Sequence, residues 1–241
     1  MKPVVTASGT VIVEEGQDGT RLGELTIKVK NGKVVASKWK PHVIDSRIKE
    51  DRAIAKLVHE LRKTFVAGPD FKQHANPFNG TLMKQPIDTV VGHTKIGLHR
   101  SNFSHETMPA AIEGSSHDFL TDAFRAQADA DIGAIRGFRM GTHVPPGPIR
   151  LEDLYHFIPI GPMIAKGTIQ GKQIKGQIEN SADGSLNSDV SAWTGGWLFN
   201  FSGVTMDFDP YAEKGKRASN IKVYNHKTQA WDALDPNASY S

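Results

Sequence analysis

The sequence predicts an α/β or α+β fold in which strands of mixed direction pack against flanking helices. Two observations support this prediction. Segments with the two-residue hydrophobic period of strands alternate along the 241 residues with segments that carry the single apolar stripe of a helix. With 38% hydrophobic and 23% charged residues, the chain also has the composition of a globular protein with a buried core.

The first segment, from Val4 to Val35, has the pattern of strands and turns. Leu25, Ile27 and Val29 alternate with polar residues, as in a strand that buries one face. Asn31-Gly32 follows this run, and this dipeptide between two strands is a strong signal for a two-residue hairpin turn.

A charged helix is predicted next, from Arg47 to Phe65. Asp45 or Ser46 is expected to cap its N-terminus, and Gly68-Pro69 ends the pattern. Its apolar stripe consists of Ile48, Leu57, Val58 and Leu61. Such an isolated, charged helix is typical of a connection between two modules.

Strands and helices alternate over the rest of the chain. Strands are predicted at 87–98, 132–135, 163–169, 197–208 and 221–224. Helices are predicted at 115–126, 149–155 and 171–180, and a polar loop at 181–191.

Charge and composition exclude several classes of function. The 29 basic and 26 acidic residues give a net charge of only +3, without the basic patch of a nucleic-acid-binding protein. No segment has the roughly 20 apolar residues of a membrane span. Cysteine is absent, which excludes disulfides, thiolate catalysis and cysteine-ligated zinc. No signal peptide is visible in residues 1–10.

Familiar catalytic and metal-binding motifs are also absent from the sequence. Dinucleotide-binding, P-loop and serine-hydrolase patterns do not occur. His99, His105, His143 and His156 are scattered without the spacing of a metal site. We therefore expect no metal site within this chain.

Seven motifs follow one another within the range from about Val90 to Val223, which is more than half of the chain. They are Glu113 to Arg125, Ala130 to Ile135, Pro146 to Ile149, Glu152 to Tyr155, Ile158 to Gly161, Gly171 to Ile174 and Phe201 to Val204. In this order they resemble the C-terminal domain of the 5′-nucleotidase superfamily, whose members are two-domain hydrolases.

The resemblance implies a division of the chain into three parts. Residues 1–45 resemble the last strands of the metallophosphoesterase domain that precedes this domain in the family, and 46–66 fall where the family has a linker helix. Residues 67–241 are then the substrate-recognition domain, a mixed sheet with flanking helices. The two divalent metals of the family, manganese or zinc, are expected on the N-terminal domain outside this sequence. This portion alone is therefore expected to lack hydrolase activity.

Two segments are similar to SoxB-type thiosulfohydrolases within the superfamily: Gly137 to Thr142 and Leu98 to Phe103. Those enzymes act in periplasmic sulfur oxidation and release sulfate from a sulfur-loaded carrier protein. The similarity implies a periplasmic location and an anionic substrate, either a small molecule or a carrier-bound group. Two alternatives remain open: a true 5′-nucleotidase that acts on nucleoside monophosphates, and a non-enzymatic module that binds an anion or a peptide.

Arg139 is the first candidate for anion binding, because the family places an anion-binding arginine in this glycine-rich loop. A guanidinium grips phosphate or sulfonate with two parallel hydrogen bonds, and Gly137 and Gly141 allow the anion to approach the backbone. Arg136 is a candidate for a second positive charge. The alternatives are a solvated loop arginine for Arg139 and, for Arg136, a solvated side chain or an ion pair with Asp129 or Asp131.

Phe201 matches the aromatic residue that stacks on the base in nucleotidases. Its partner in that clamp falls at Ile160, which has no π-face, and this departure argues for a substrate without a base. Loss of one stacking face costs roughly 1–3 kcal/mol per base. Trp197 and Phe199 are possible substitutes, although alternating aromatic residues on a strand also suit a core.

His117-Asp118, with Asp122 one turn later, is a possible acid–base group, since residues four apart share a helix face. The alternative is capping and exposed charge in the first turns of a helix.

Overall fold

The structure is a computed structural model that describes residues 2–14, 19, 21–99, 114–136, 143–159, 161, 163–194 and 198–241. The chain divides into two compact units, Met1–Thr64 and Phe65–Ser241. The assignment of the first unit to a metallophosphoesterase domain and a linker stays a prediction.

The first unit contains a long hairpin. The strands of this unit are β1 (Val4–Val5), β2 (Val11–Ile12), β3 (Arg21–Lys30) and β4 (Lys33–Val43). β1 pairs with β2, and β3 pairs with β4 to form the long hairpin; both pairs are antiparallel. Asn31 and Gly32 join β3 to β4 with φ angles of 52° and 73°. These positive angles are those of a type I′ turn, so the predicted hairpin is confirmed.

The helix of the first unit, α1 (Arg52–Arg62), begins later than the sequence pattern predicts. Asp51 is the N-cap, and its Oδ1 accepts the backbone N–H groups of Ala53 at 2.9 Å and Ile54 at 3.0 Å. The predicted cap Asp45 instead binds the backbone and guanidinium of Arg47. The predicted start at Arg47 was therefore wrong, because the better-placed carboxylate is six residues further along.

The second unit alternates short strands with three helices among its described residues. The strands are β5 (His74–Ala75), β6 (Leu82–Met83), β7 (Val90–Thr94), β8 (Gly133–Arg136), β9 (Gly147–Arg150), β10 (Ile169–Gln170), β11 (Phe199–Ser202), β12 (Val204–Phe208), β13 (Ala218–Asn225), β14 (Ala230–Ala233) and β15 (Ser239–Tyr240). The helices are α2 (Ser115–Ala128), α3 (Leu151–Phe157) and α4 (Gly171–Leu186), and Val190–Ala192 forms a turn of 3₁₀ helix.

The strands of the second unit pair in small sheets. The pairs are β5 with β6, β7 with β9, β8 with β11, β10 with β15, and the three-stranded β12-β13-β14, and each of these described pairs is antiparallel. The mixture of helices and strands confirms the predicted fold class. The prediction of mixed strand directions was wrong for the described pairs, which are antiparallel.

Several element boundaries differ from the prediction. The predicted strand at 163–169 forms only at its end, as β10, and α4 continues through the predicted loop to Leu186. The predicted strand at 197–208 is interrupted at Gly203, which has a φ of 79°. At this left-handed residue the chain leaves the β8–β11 pair and enters the three-stranded sheet, so β11 and β12 are separate strands.

Two apolar clusters form the core of the second unit. The first consists of Leu98, Leu120, Val144, Ile149 and Phe157, and it joins α2 and α3 to β9. The second consists of Ile174, Ile178, Val204, Ala218 and Ile221, and it fixes α4 on the three-stranded sheet. Within the described part of the chain, no helix is both long and apolar enough to span a bilayer.

Candidate functional site

The β8–β11 pair packs against α2 on one face. Side chains alternate between the two faces of a strand. Ser202 and Gly133, which are opposite each other, face α2, where Ser202 is hydrogen-bonded to Asp122. A β-carbon on Gly133 would clash with the carbonyl oxygen of Thr121. The absence of a side chain at Gly133 therefore allows the helix to lie directly on the strand.

The other face of this pair carries Phe199 and Phe201, the two aromatic candidates of β11. Phe199 lies opposite Arg136, and Phe201 lies opposite Ala134. The two phenylalanine rings have centroids 6.0 Å apart and an interplanar angle of 31°. Both rings are half-buried. Phe201 also packs on the second core cluster, so the stacking and core interpretations both apply to it.

A cavity of about 850 Å³ borders both strands, and residues of α2 also line it. Its walls include Phe199 and Phe201 from β11, Ile135 from β8, Phe157 from α3 and Ile174 from α4. Its lining is mainly apolar, and its size is typical of a pocket for a small organic ligand.

Arg136 is the last residue of β8 and is not itself among the described walls of this cavity. It follows Ile135 and is opposite Phe199, and both of these residues line the cavity. Its side chain is exposed. Among the residues that the structure describes, no carboxylate forms an ion pair with Arg136. The alternative partner Asp131 is hydrogen-bonded to Ser241 instead.

Lys166 is a second cation at the cavity, and no pattern in the sequence predicted it. Its Nζ donates to the carbonyl oxygens of Ala128 at 2.5 Å and Asp129 at 2.8 Å. Asp129 ends α2 with a left-handed φ of 47°. Lys166 therefore satisfies the free carbonyls and the negative end of the α2 dipole.

Asp131 and Ser241 close another side of the cavity. The backbone N–H and the hydroxyl of Ser241 donate to Asp131 Oδ2 at 2.9 and 2.8 Å. These hydrogen bonds, that of the backbone N–H above all, lower the pKa of Asp131, and partial burial opposes them. Ser241 itself lines the cavity.

Gly161 lies on the cavity wall with a φ of 58°. Its carbonyl oxygen accepts a hydrogen bond from Asn79 Nδ2 at 2.9 Å. Asn79 belongs to the turn between β5 and β6, so this hairpin fixes the segment that follows α3.

A second, smaller cavity of about 180 Å³ also borders β11. Phe199 and Phe201 belong to its walls as well, together with Met206 of β12 and Ile178 of α4.

Five of the predicted site residues lie outside the residues that the structure describes: Arg139, Gly137, Gly141, Ile160 and Trp197. Their roles stay predictions. The structure places Arg136 and Phe201 on adjacent strands, and Phe201 and Phe199 line the larger cavity.

The possible acid–base group of α2 does not meet this cavity. Neither His117 nor Asp118 nor Asp122 belongs to its described walls. His117 is only 3% exposed, so the alternative of an exposed first helical turn was wrong for this residue. Asp122 accepts a hydrogen bond from Ser202 and thereby connects α2 to β11.

His99 and His143 are brought together by the fold although 44 residues separate them. Their rings stack with centroids 4.2 Å apart. No three or more histidine, aspartate or glutamate side chains converge anywhere in the described ranges in a way that would hold a metal ion.

Comparisons with known proteins agree on one domain type. The family model described as 5′-nucleotidase, C-terminal domain, matches residues 90–241. An NAD 5′-nucleotidase of Haemophilus influenzae is 30% identical over 97 residues, which is 39% of this chain and 15% of that protein.

Two solved structures from Thermus thermophilus are similar in fold. A 5′-nucleotidase precursor superimposes with a TM-score of 0.65 at 19% identity, covering 99% of this chain and 43% of its own. The sulfate thiohydrolase SoxB, solved with glycerol, gives a TM-score of 0.71 at 17% identity, covering 99% of this chain and 39% of its own. The chain thus spans about two fifths of each solved relative.

Proposed function

The chain belongs to the 5′-nucleotidase C-terminal domain family, and on that premise we propose that it is the substrate-recognition part of a two-domain, metal-dependent hydrolase. Arg136, together with Arg139 and the glycines Gly137 and Gly141, binds a phosphate or sulfonate group. The cavity beside Phe199 and Phe201 receives the organic part of the substrate. A periplasmic location is part of the proposal.

The position of Arg136 opposite Phe199 carries this proposal. Residues directly opposite on antiparallel strands have β-carbons about 4.5–5.5 Å apart, which brings a guanidinium to the edge of an apolar cavity. A substrate with one anionic end and one organic end matches this combination of charge and apolar surface. The exposed guanidinium has the two parallel N–H donors that such an anion accepts.

Among the described residues of this chain, no group of three or more potential metal ligands converges. In the proposal, two manganese or zinc ions on the N-terminal domain supply the Lewis acid and the activated water. This chain contributes binding and orientation, which lower the barrier by holding the scissile bond in place.

A carrier-bound sulfonate and a nucleoside monophosphate are the two candidate substrates. The two phenylalanines on the cavity wall favour an aromatic base. Ile160 and Pro162, which stand where nucleotidases have an aromatic and an amide residue, favour a substrate without one. We place the sulfonate first, because an aliphatic residue at Ile160 removes one face of the base clamp.

Calorimetric titration of the purified chain with phosphate, thiosulfate, phenyl phosphate, adenosine monophosphate and adenosine tests the proposal. The anions are expected to bind and adenosine is not. Arg136→Gln is expected to weaken anion binding by roughly 10- to 100-fold, the value of a charge-assisted pair. Arg52→Gln, at an exposed arginine of α1, is the matched control and leaves binding unchanged.

Equal affinities of the Arg136→Gln variant and the original chain for every anion would contradict the proposed site. Metal-dependent hydrolysis of a phosphate ester by this chain alone would contradict the proposed division of labour. Adenosine monophosphate binding much more tightly than phosphate and phenyl phosphate would favour the nucleotidase alternative.

A non-enzymatic module that binds the tail of a protein is the remaining alternative. It predicts that a carrier peptide binds equally with and without a terminal sulfonate. Our proposal predicts that only the modified peptide binds, and the same calorimetric titration separates the two.

A further inference from the structure

His99 and His143 form a cross-strand pair on a bridge outside the cavity walls. Leu98 and Val144 exchange both backbone hydrogen bonds, at 2.8 and 3.1 Å. His99 and His143 are therefore the next pair along the two strands, the type without mutual backbone hydrogen bonds, in which side chains approach most closely.

The bridge beneath the pair is firmly held. Leu98 and Val144 are 3% and 1% exposed and belong to the first core cluster. The backbone of His99 is fixed further by α2, because its N–H donates to Ser115 Oγ at 2.9 Å and its carbonyl oxygen accepts from the Ser116 N–H at 3.0 Å. Two imidazoles thus project from a backbone that is already ordered.

The two rings direct the same atom at each other. His143 Nδ1 and His99 Nδ1 are 2.5 Å apart. Ring nitrogens that bind zinc lie at about 2.0–2.1 Å from the ion, so two such nitrogens in a tetrahedral site are about 3.3 Å apart. A small rotation of either ring about its Cβ–Cγ bond provides this separation, and His143 is exposed and has room to rotate.

We propose that His99 and His143 form a two-imidazole chelate for a divalent transition metal ion of the zinc, nickel or copper type. Imidazole nitrogen prefers these ions to magnesium or calcium, which require oxygen ligands. Water completes the coordination sphere on the exposed side of His143.

Titration of the untagged, metal-stripped chain with zinc chloride or nickel sulfate, with magnesium chloride as the contrasting ion, tests the proposal. Calorimetry is expected to show one saturable zinc or nickel ion per chain and no magnesium binding. The melting temperature is expected to rise with the ion concentration, because an ion that binds only the folded chain stabilises it.

His143→Gln removes one ligand at an exposed position and is expected to weaken zinc binding by at least about tenfold, as loss of even an outer-shell partner does. His93→Gln, at an exposed histidine of β7, is the matched control and is expected to bind like the original chain. If a thermal melt shows His143→Gln to be misfolded, His99 and His143 resonances are followed in the original chain by NMR during the titration.

Two results would overturn the proposal. The first is an original chain without saturable zinc or nickel binding, in which case the two rings share only a hydrogen bond. The second is equal zinc affinity of the original chain and the folded His143→Gln variant, or zinc-induced NMR shifts confined to other histidines.

Discussion

The hydroxyl of Ser202 on β11 donates a hydrogen bond to the carboxylate of Asp122 on α2. This bond fixes the strand that carries both cavity phenylalanines to the helix behind it. Ser202 is 5% exposed, whereas the Asp122 side chain is 67% exposed. The buried hydroxyl therefore depends on Asp122 as its hydrogen-bond partner. Water partly screens the charge of the exposed carboxylate.

Replacement of Ser202 by alanine is expected to lower the free energy of unfolding by about 1 kcal/mol. Hydrogen bonds to charged groups contribute about 1.5–3 kcal/mol, and exposure of Asp122 reduces this value. Urea denaturation measures the change, with Ser219→Ala at an exposed position of β13 as the control. An unchanged midpoint for Ser202→Ala would show that the hydrogen bond contributes nothing to stability.

Gly133→Ala is expected to destabilise the chain by about 1–3 kcal/mol, the usual cost of an added methyl group in a tight contact. The new β-carbon would clash with the Thr121 carbonyl oxygen and lie 3.0 Å from Arg125 Cβ, which forces α2 away from β8.

Gly176→Ala is the matched control for this substitution. Gly176 lies in the middle of α4 with nothing within 4 Å of the added carbon. Alanine there is expected to stabilise the helix by about 0.5–1 kcal/mol. Thermal unfolding should therefore move in opposite directions for the two variants, and a shift in the same direction would contradict the packing of α2 on Gly133.

Phe199→Ala is expected to weaken binding of phenyl phosphate by about 0.5–1.5 kcal/mol, the contribution of an aromatic pair beyond its buried area. Binding of inorganic phosphate should not change, because phosphate has no ring to place in the cavity. Phe78→Ala, at a phenylalanine that is 66% exposed, is the control for a general loss of aromatic surface. Calorimetry with both ligands would contradict the cavity assignment if Phe199→Ala affected them equally.

Asp131 is expected to make stability depend on acid pH. Its folded pKa is lowered below the ordinary 3.8 by Ser241, so the folded state favours the charged carboxylate. This contribution is present above pH 3.8 and is lost as the pH falls through the lowered pKa of the folded state.

Urea unfolding of the original chain and of Asp131→Asn over a series of pH values measures this contribution. The original chain is expected to be the more stable near neutrality, and the difference should shrink in acid. Subtraction of the two curves removes the contributions of other carboxylates with lowered pKa values, such as Asp183. A difference that is constant with pH would show that Ser241 does not favour the charged form.

Local signals in the sequence predicted the local structure well. The Asn31-Gly32 turn needs two consecutive positive φ angles, and these residue types tolerate them, so the hairpin was predictable from two residues. The start of α1 was not, since Asp45 and Asp51 are both suitable caps and only the geometry of the chain selects Asp51.

Pairings between distant segments decided what the sequence did not predict. The hydrophobic periodicity of the sequence, whether two residues for a strand or 3.6 for a helix, does not show that Gly203 separates two sheets. The same holds for the His99–His143 pair, which depends on the bridge between Leu98 and Val144. Phe201 was a candidate from the family resemblance, and Arg136 was a candidate because it lies three residues before Arg139. Lys166 was missed because its carbonyl partners on α2 are defined only by the fold.

Phe199 and Phe201 of β11 line both the larger and the smaller cavity. Protein interiors transmit strain because they are close-packed. A ligand that displaces either phenylalanine ring in one cavity is therefore expected to change the shape of the other cavity. Met206 lines the smaller cavity and is not among the described walls of the larger one. The NMR signal of the Met206 methyl group is therefore expected to report ligand binding in the larger cavity without a label on the ligand.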